Sequence, residues 1–304
     1  MPIPVTNSKI RAYMDLARIH FVFIWPIIFL AGLFMAFDQY GAFSWSITIK
    51  ATLISTTGFE AAFILNDIVD IRYDIKDVDW DITRYWRPYG TRPLASGEVS
   101  KRNALIIFFV LLSAVATLIF TLPNPNRYYL YVIMAYTYGM EYFYQIIKRS
   151  QRLPIAQLLG RTDFMVFAMG GYLCYGGIDL TVVLYGLFFY TLAQVHLGIN
   201  DLSDYNNDVV RKMNTVTTMY GKHGNLIWIL VFMLLHFTLG LTYIAHMGGI
   251  TYVGYCFACI MFTYIFYRLR KETTPGEAHR AVPLFHLTLL TYMLTIMAEA
   301  YAGF

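Results

Sequence analysis

Apolar residues run nearly unbroken through nine segments of the chain, near 19–37, 46–66, 104–121, 128–147, 163–178, 180–200, 225–245, 249–267 and 281–301. Polar stretches separate them. A helix needs about 20 apolar residues to cross a hydrocarbon core of ~30 Å. The pattern therefore predicts an all-α, polytopic membrane protein with nine transmembrane helices bundled around a central cavity. Residues 1–18 are polar and mixed in charge, and no small-residue cleavage site follows the first apolar run, so that run reads as a retained helix and not a signal peptide.

Composition agrees. Only 14% of the 304 residues are charged and 58% are hydrophobic, where a soluble domain carries roughly 25% charge. Of the three cysteines, Cys256 and Cys259 form a C-x-x-C inside an apolar run, without the further Cys or His that a zinc site needs, and no disulfide is inferred. The net charge of +4 does not argue for nucleic acid. Of the 23 Lys and Arg, 21 lie on the side shared by the N-terminus and by the links that follow the second, fourth, sixth and eighth segments. The positive-inside rule makes that side cytoplasmic and puts the C-terminus opposite, as in an integral protein of the cell membrane.

Against this apolar background two acidic clusters stand out, both closing a span on the cytoplasmic side. "NDIVDIRYD" at 66–74 and "NDLSDYNND" at 200–208 share one spacing, N-D-x-x-D-x-x-x-D. On a helix Asn66, Asp70 and Asp74 make one stripe, and Asn200, Asp204 and Asp208 a second. One such cluster reads equally well as a solvated helix end; two copies 134 residues apart do not. With Asp67 and Asp201 the motifs give an oxygen-only ligand set, suited to a hard cation and to Mg2+ before zinc. Mg2+ takes one or two carboxylates and fills its other positions with water and phosphate oxygens. The two stripes are therefore expected to face each other and to hold a diphosphate through metal ions, repelling one another when metal is absent. Arg92, Lys148, Arg211 and Lys212, on the same side, are candidate partners for diphosphate oxygens that metal leaves uncovered.

The duplicated motif also suggests two four-helix units, near 10–150 and 155–270, plus a last helix at 281–301, all in one domain over 1–304. Because each unit has an even number of helices, the repeat is parallel. Glu60, Glu141, Asp163 and Glu299 lie within or at the edge of spans, and ionisable groups at such depth are functional candidates. Glu60 is seven residues before Asp67 and could extend the polar site inward. His196, one turn before Asn200, could take a proton from an acceptor or simply make a structural hydrogen bond.

The chain resembles the UbiA superfamily of intramembrane prenyltransferases over its whole length. The resemblance rests on the two N-D-x-x-D-x-x-x-D motifs, on "TRPLASGEVS" at 91–100, on the Tyr-rich "YFYQIIKRS" at 142–150, and on Arg18 at the start of the first helix. It implies a nine-helix bundle that uses Mg2+, with Mn2+ as a substitute, to ionise a polyprenyl diphosphate. The prenyl group then passes to an aromatic or other lipid-precursor acceptor. Asp70, Asp74, Asp204 and Asp208 would be catalytic, and Arg18 would join the diphosphate-binding bases. Two stretches depart from the family pattern, "DWDITRYWRPYG" after the first motif and "RKMNTVTTMYG" after the second, and both would cap the site. A cation-coupled transporter is the rival reading, with the acids as its ion path. No obligate protein partner is inferred.

Overall fold

A computed structural model describes residues 3–244 and 248–303. The described residues form twelve α-helices and no strand. A short amphipathic helix, α1 (Lys9–Ala17), leads through a single 3-10 turn into α2 (Ile24–Tyr40). Then come α3 (Trp45–Asp74), the short α4 (Asp81–Trp86), α5 (Lys101–Phe120) and α6 (Asn126–Ile147). A π-turn at Ala156–Gly160 precedes α7 (Thr162–Leu173), followed by α8 (Leu180–Ser203) and the short α9 (Tyr205–Arg211). The chain closes with α10 (Val216–Ile244), broken at Gly221 by a φ of 70°, α11 (Gly249–Lys271) and α12 (Pro275–Ala302). The end of the seventh expected apolar segment, at 245, lies outside the described residues.

Each expected apolar segment has a helix over most of its described length, but among the described residues only six stretches are both long and apolar enough to cross a membrane. These are Ile19–Tyr40, Lys101–Phe120, Leu180–Ser203, Val216–Leu241, Gly249–Lys271 and Pro275–Ala302. The other three fail for different reasons. Helix α3 is 30 residues long but carries Lys50, Glu60 and the first acidic motif; α6 is tyrosine-rich; and α7 has only 12 residues. All three contribute side chains to the interior cavities, and there polar positions are tolerated because they face protein and not lipid. The outward faces of α5, α10 and α11 bear large apolar side chains such as Phe109, Val110, Ile227, Val253 and Ile260, as a lipid-facing surface requires.

Helices α2 and α7 meet backbone to backbone, and glycine makes that possible. A Cβ on Gly171 would sit 1.6 Å from the carbonyl oxygen of Phe29, and one on Gly32 would lie 2.9 Å from that of Ala168. Such small-residue contacts are the usual means by which helices associate in lipid, where apolar burial gives no net drive. The joint brings α2 and α7 into close contact.

Candidate functional site

The cavity wall starts on α3. Helical spacing puts Phe59, Phe63, Asn66, Asp70 and Asp74 on one face, and all five line a polar cavity of about 190 Å³. From the other half come His196, Asn200, Asp201, Asp204 and Asp208. The two acidic motifs therefore do face each other. One guanidinium spans the gap, with Arg211 Nη2 3.1 Å from Asp74 and Nη1 3.3 Å from Asp204.

The second stripe is not one continuous helix. Helix α8 ends at Ser203, and Asp204, at φ −92° and ψ 11°, caps it and starts α9. Asp208 reaches the cavity from α9, around that corner. Asn207 fixes the corner to the first half: its Oδ1 accepts from the backbone N–H groups of Val78 and Asp79, both at 2.9 Å, and its Nδ2 donates to the Asp79 carbonyl. Asp201, while lining the cavity, also accepts the Val216 N–H at the start of α10.

The acids do not simply repel. A base holds each of the carboxylates that closes α3. Asp70 pairs with Lys148 and Arg149, each at 2.8 Å. Asp74 pairs with Arg92 at 2.9 Å as well as with Arg211, and Asp77 is held by the same two arginines. Burial pushes the Asp77 carboxyl up to about 6 despite Arg92 and Arg211. Burial, with Asp204 and Asp201 nearby, pushes Asp208 well above the usual carboxylate range. Burial would lower the Arg92 pKa, but Asp74 and Asp77 outweigh it and leave it raised.

Three expectations need correction. Asp67 does not line the cavity: it is locked between Arg18 and Arg87, each at 2.8 Å, one helical step off the cavity face. Glu60 shares the Asp67 face and is likewise absent from the cavity wall. Lys212 caps α9 in the left-handed region at φ 59° and points to solvent, while its neighbour Arg211 turns inward. Arg18, Arg92, Lys148 and Arg211 do line the cavity, although Arg18 is committed to Asp67 and stacks over Phe63 at 4.2 Å.

Several wall residues were not singled out in the sequence. Helix α4, within the atypical aromatic stretch, supplies Ile82 and Trp86, and Arg87 follows it. The Arg87-Pro88 step repeats Arg92-Pro93 five residues later, a pairing that could have flagged Arg87. Arg161 stacks 3.6 Å from the Tyr144 ring and pairs with Glu141, which also accepts from the Asn66 amide at 2.9 Å. That group closes the inner end of the polar cavity. Beyond it an apolar pocket of about 140 Å³ runs between α3, α5, α6 and α7, lined by residues such as Ile54, Gly58, Val115, Ile133 and Phe167. The two spaces share Arg18, Phe59, Phe63, Asn66, Arg161 and Phe164.

Mg2+ fits the residues present. The cavity carboxylates supply oxygen only, and Asn200 Oδ1 is buried without a hydrogen-bond partner among the described residues. Among those residues no three His, Cys, Asp or Glu converge on one point. The arrangement suits an ion that takes few protein ligands and completes its shell with phosphate and water. A cation path suits it poorly, since Lys148, Arg149, Arg92 and Arg211 plug the acids and would repel a passing cation. The transporter alternative is thus not supported.

Comparison with known proteins agrees with this geometry. The family model described as the UbiA prenyltransferase family matches residues 24–290. A digeranylgeranylglyceryl phosphate synthase of Saccharolobus solfataricus is 25% identical over 227 residues, 70% of each chain. Protoheme IX farnesyltransferase 1 of Pseudomonas fluorescens is 26% identical over 299 residues, 95% of this chain and 91% of that one. Among solved structures, the apo UbiA homologue of Aeropyrum pernix superposes with a TM-score of 0.72 at 16% identity, covering 93% of this chain and 97% of that one. The Archaeoglobus fulgidus homologue bound to GPP and Mg2+ gives 0.68 at 14% identity, covering 96% and 100%.

Proposed function

The chain belongs to the UbiA prenyltransferase family, and we propose that it is a Mg2+-dependent intramembrane enzyme that ionises a polyprenyl diphosphate and prenylates a hydrophobic acceptor. One observation carries this reading: a charged, oxygen-lined cavity adjoins an apolar pocket of the bundle across a shared wall of Arg18, Phe59, Phe63, Asn66, Arg161 and Phe164. An amphipathic substrate with an anionic head and a hydrocarbon tail matches that pair of spaces.

The ion pairs suggest how the head binds. Asp70, Asp74, Asp204 and Asp208 would hold the metal, and Lys148, Arg149, Arg92 and Arg211 would turn from those acids to phosphate oxygens. Each buried charge then exchanges one partner for another and is never left unpaired, which keeps the desolvation cost low. When bound, Mg2+ (or Mn2+ in its place) supplies Lewis-acid stabilisation of the departing diphosphate. Arginines prearranged around the leaving group add to that stabilisation where water is excluded. Trp25, Phe59, Phe63, Trp86 and Phe164 exclude water from the junction and offer π faces to an allylic cation.

The relatives named above point to acceptors of two kinds, a glyceryl lipid and a porphyrin. A 4-hydroxybenzoate octaprenyltransferase of Aliivibrio salmonicida, 31% identical over 157 residues, adds a phenol. We read the acceptor here as a hydrophobic molecule with one nucleophilic group. The nine helices are read as nine spans in two parallel four-helix units plus α12, with the cavity mouth and N-terminus cytoplasmic because the bases gather there. The test is to incubate the purified protein with Mg2+, labelled prenyl diphosphates of several lengths and membrane lipid extract, then identify products by mass spectrometry. A prenylated lipid-soluble product is expected. Release of diphosphate with no prenylated product at any chain length would overturn the transferase assignment for this chain.

A further inference from the structure

Transfer of a prenyl cation to a nucleophile leaves one proton to dispose of, in a cavity built to exclude water. Three side chains outside the acidic motifs form a hydrogen-bonded line away from that cavity. His196, on α8, lines the cavity, and its Nδ1 has no hydrogen-bond partner among the described residues. Its Nε2 lies 3.0 Å from Nε2 of His286 on α12. His286 Nδ1 in turn lies 2.6 Å from the hydroxyl of Tyr85 on α4. Tyr85 is only half-buried, and the partly exposed His279 ring sits 6.2 Å from it near the start of α12. The Trp25 and Trp86 rings pack edge-on against both imidazoles, at 5.3 to 6.0 Å between centroids, and fence the line from the rest of the cavity.

Building on the prenyl-transfer reading, we infer that His196, His286 and Tyr85 are the exit path for the acceptor's proton, with His196 as the general base. The carbon–oxygen bond to diphosphate breaks first and its electron pair leaves with diphosphate; the nucleophilic oxygen, nitrogen or carbon of the acceptor then bonds to the allylic carbon. The acceptor's proton moves to His196 Nδ1. The proton on His196 Nε2 passes to His286 Nε2, the one on His286 Nδ1 passes to the Tyr85 oxygen, and the Tyr85 hydroxyl proton goes to bulk water. All three groups begin and end neutral, which a buried line tolerates better than a lasting charge. Both nitrogen-to-nitrogen and nitrogen-to-oxygen gaps are hydrogen-bond distances, so each hop needs no rearrangement of the backbone. After product leaves, water entering the cavity takes the Nδ1 proton from His196 while a bulk proton returns through Tyr85 and His286, which restores both tautomers.

The arrangement also explains why the atypical aromatic stretch after the first motif belongs to the site. It delivers Tyr85 to the outer end of the line, and His20 Nε2 bonds the Tyr85 carbonyl at 2.8 Å to hold it there. His286 and Tyr85 are positioning residues in this account, acting through His196.

The test separates ionisation from proton removal. Geranyl diphosphate labelled with 18O at the bridging position, with Mg2+ and no acceptor, reports ionisation as scrambling of the label. The same substrate with membrane lipid extract reports prenylated product by mass spectrometry. His196→Gln should lower product formation about 100-fold, in the range for loss of a general base, while scrambling stays within about threefold of wild type. Tyr85→Phe should cost about tenfold. Because the groups act in series, the double variant should be no slower than His196→Gln alone. Product formation within about twofold of wild type in folded His196→Gln overturns the relay. So does a loss of scrambling that parallels the loss of product, or a double variant whose losses multiply. Absence of scrambling in the wild type would instead overturn the ionisation reading, and the relay with it.

Discussion

Arg211→Ala should unfold more easily than wild type without metal, regain most of that loss when Mg2+ is added, and still fail to turn over. Arg211 is 6% exposed and reaches Asp74 at 3.1 Å, Asp204 at 3.3 Å and the Asp77 carboxylate as well. Removing one partner from a buried ion pair costs about 3–5 kcal/mol. The lower end applies, because Arg92 still holds Asp74 and Asp77 at 2.9 and 2.8 Å and Asn207 still donates to Asp204 at 2.7 Å. At roughly 2 °C per kcal/mol for a chain of this size, the melting temperature in detergent should fall by about 6 °C. Mg2+ at 100 times its dissociation constant would return about 2.7 kcal/mol, nearly the whole deficit, if the vacated carboxylates bind it. In the wild type the same ion must first displace the guanidinium, so its stabilising effect should be smaller. Turnover should nonetheless stay down by about 100-fold or more, since the leaving diphosphate loses a prearranged cation. Differential scanning fluorimetry with and without Mg2+, beside the product assay, reads both. An Mg2+-induced shift equal in variant and wild type would refute the idea that Arg211 and metal compete for the same acids.

The other predictions each probe a different part of the site. Asp70→Ala and Asp204→Ala, one per motif, should each abolish product formation while leaving a folded, inserted protein; near-normal transfer in either would mean the motifs do not act together. Exhaustive EDTA treatment should stop turnover, and added Mg2+ or Mn2+ should restore it. Gly58→Leu should narrow the tail pocket, where a Cβ would meet the Tyr138 hydroxyl at an unstrained 3.8 Å; the KM for geranylgeranyl diphosphate should rise at least about tenfold relative to that for dimethylallyl diphosphate. Asp77 is raised to about 6 by burial, so the unfolded chain ionises this group first and stability should fall as pH rises from about 4 to 6. Asp77→Asn should flatten that slope in melting temperatures measured across the range; an unchanged slope would place its cause elsewhere.

The sequence made much of this legible because apolar periodicity and acidic spacing are local signals. Among the described residues each expected apolar segment is helical over most of its length, and Asn66, Asp70 and Asp74 share the face that helical spacing gives them. Where the reading failed, the deciding contact was distant. Asp67 is as acidic and as close as its neighbours, but it stands one step around α3, where Arg18 and Arg87 converge. The bend at Asp204, which separates Asp208 from the rest of its stripe, depends on Asn207 clamping a loop 128 residues earlier in the chain. No spacing rule encodes that.

The bases show the same effect more sharply. As sequence, Arg92, Lys148, Arg211 and Lys212 are alike as candidate diphosphate partners, and each taken alone is also explained by the positive-inside rule. In the fold Arg92, Lys148, Arg149 and Arg211 all pair with acids, and Arg92, Lys148 and Arg211 line the cavity. Lys212 remains at the surface although it adjoins Arg211, because α9 ends between them in a left-handed turn. On the proposed topology the same charge serves orientation and catalysis together: the bases that fix one side of the bundle are the ones near enough to the mouth to reach a diphosphate there. This also accounts for why the acids gather at the ends of spans. At mid-membrane neither a carboxylate stripe nor its arginine partners could be desolvated at tolerable cost. At the mouth, each can keep a partner whether or not substrate is present.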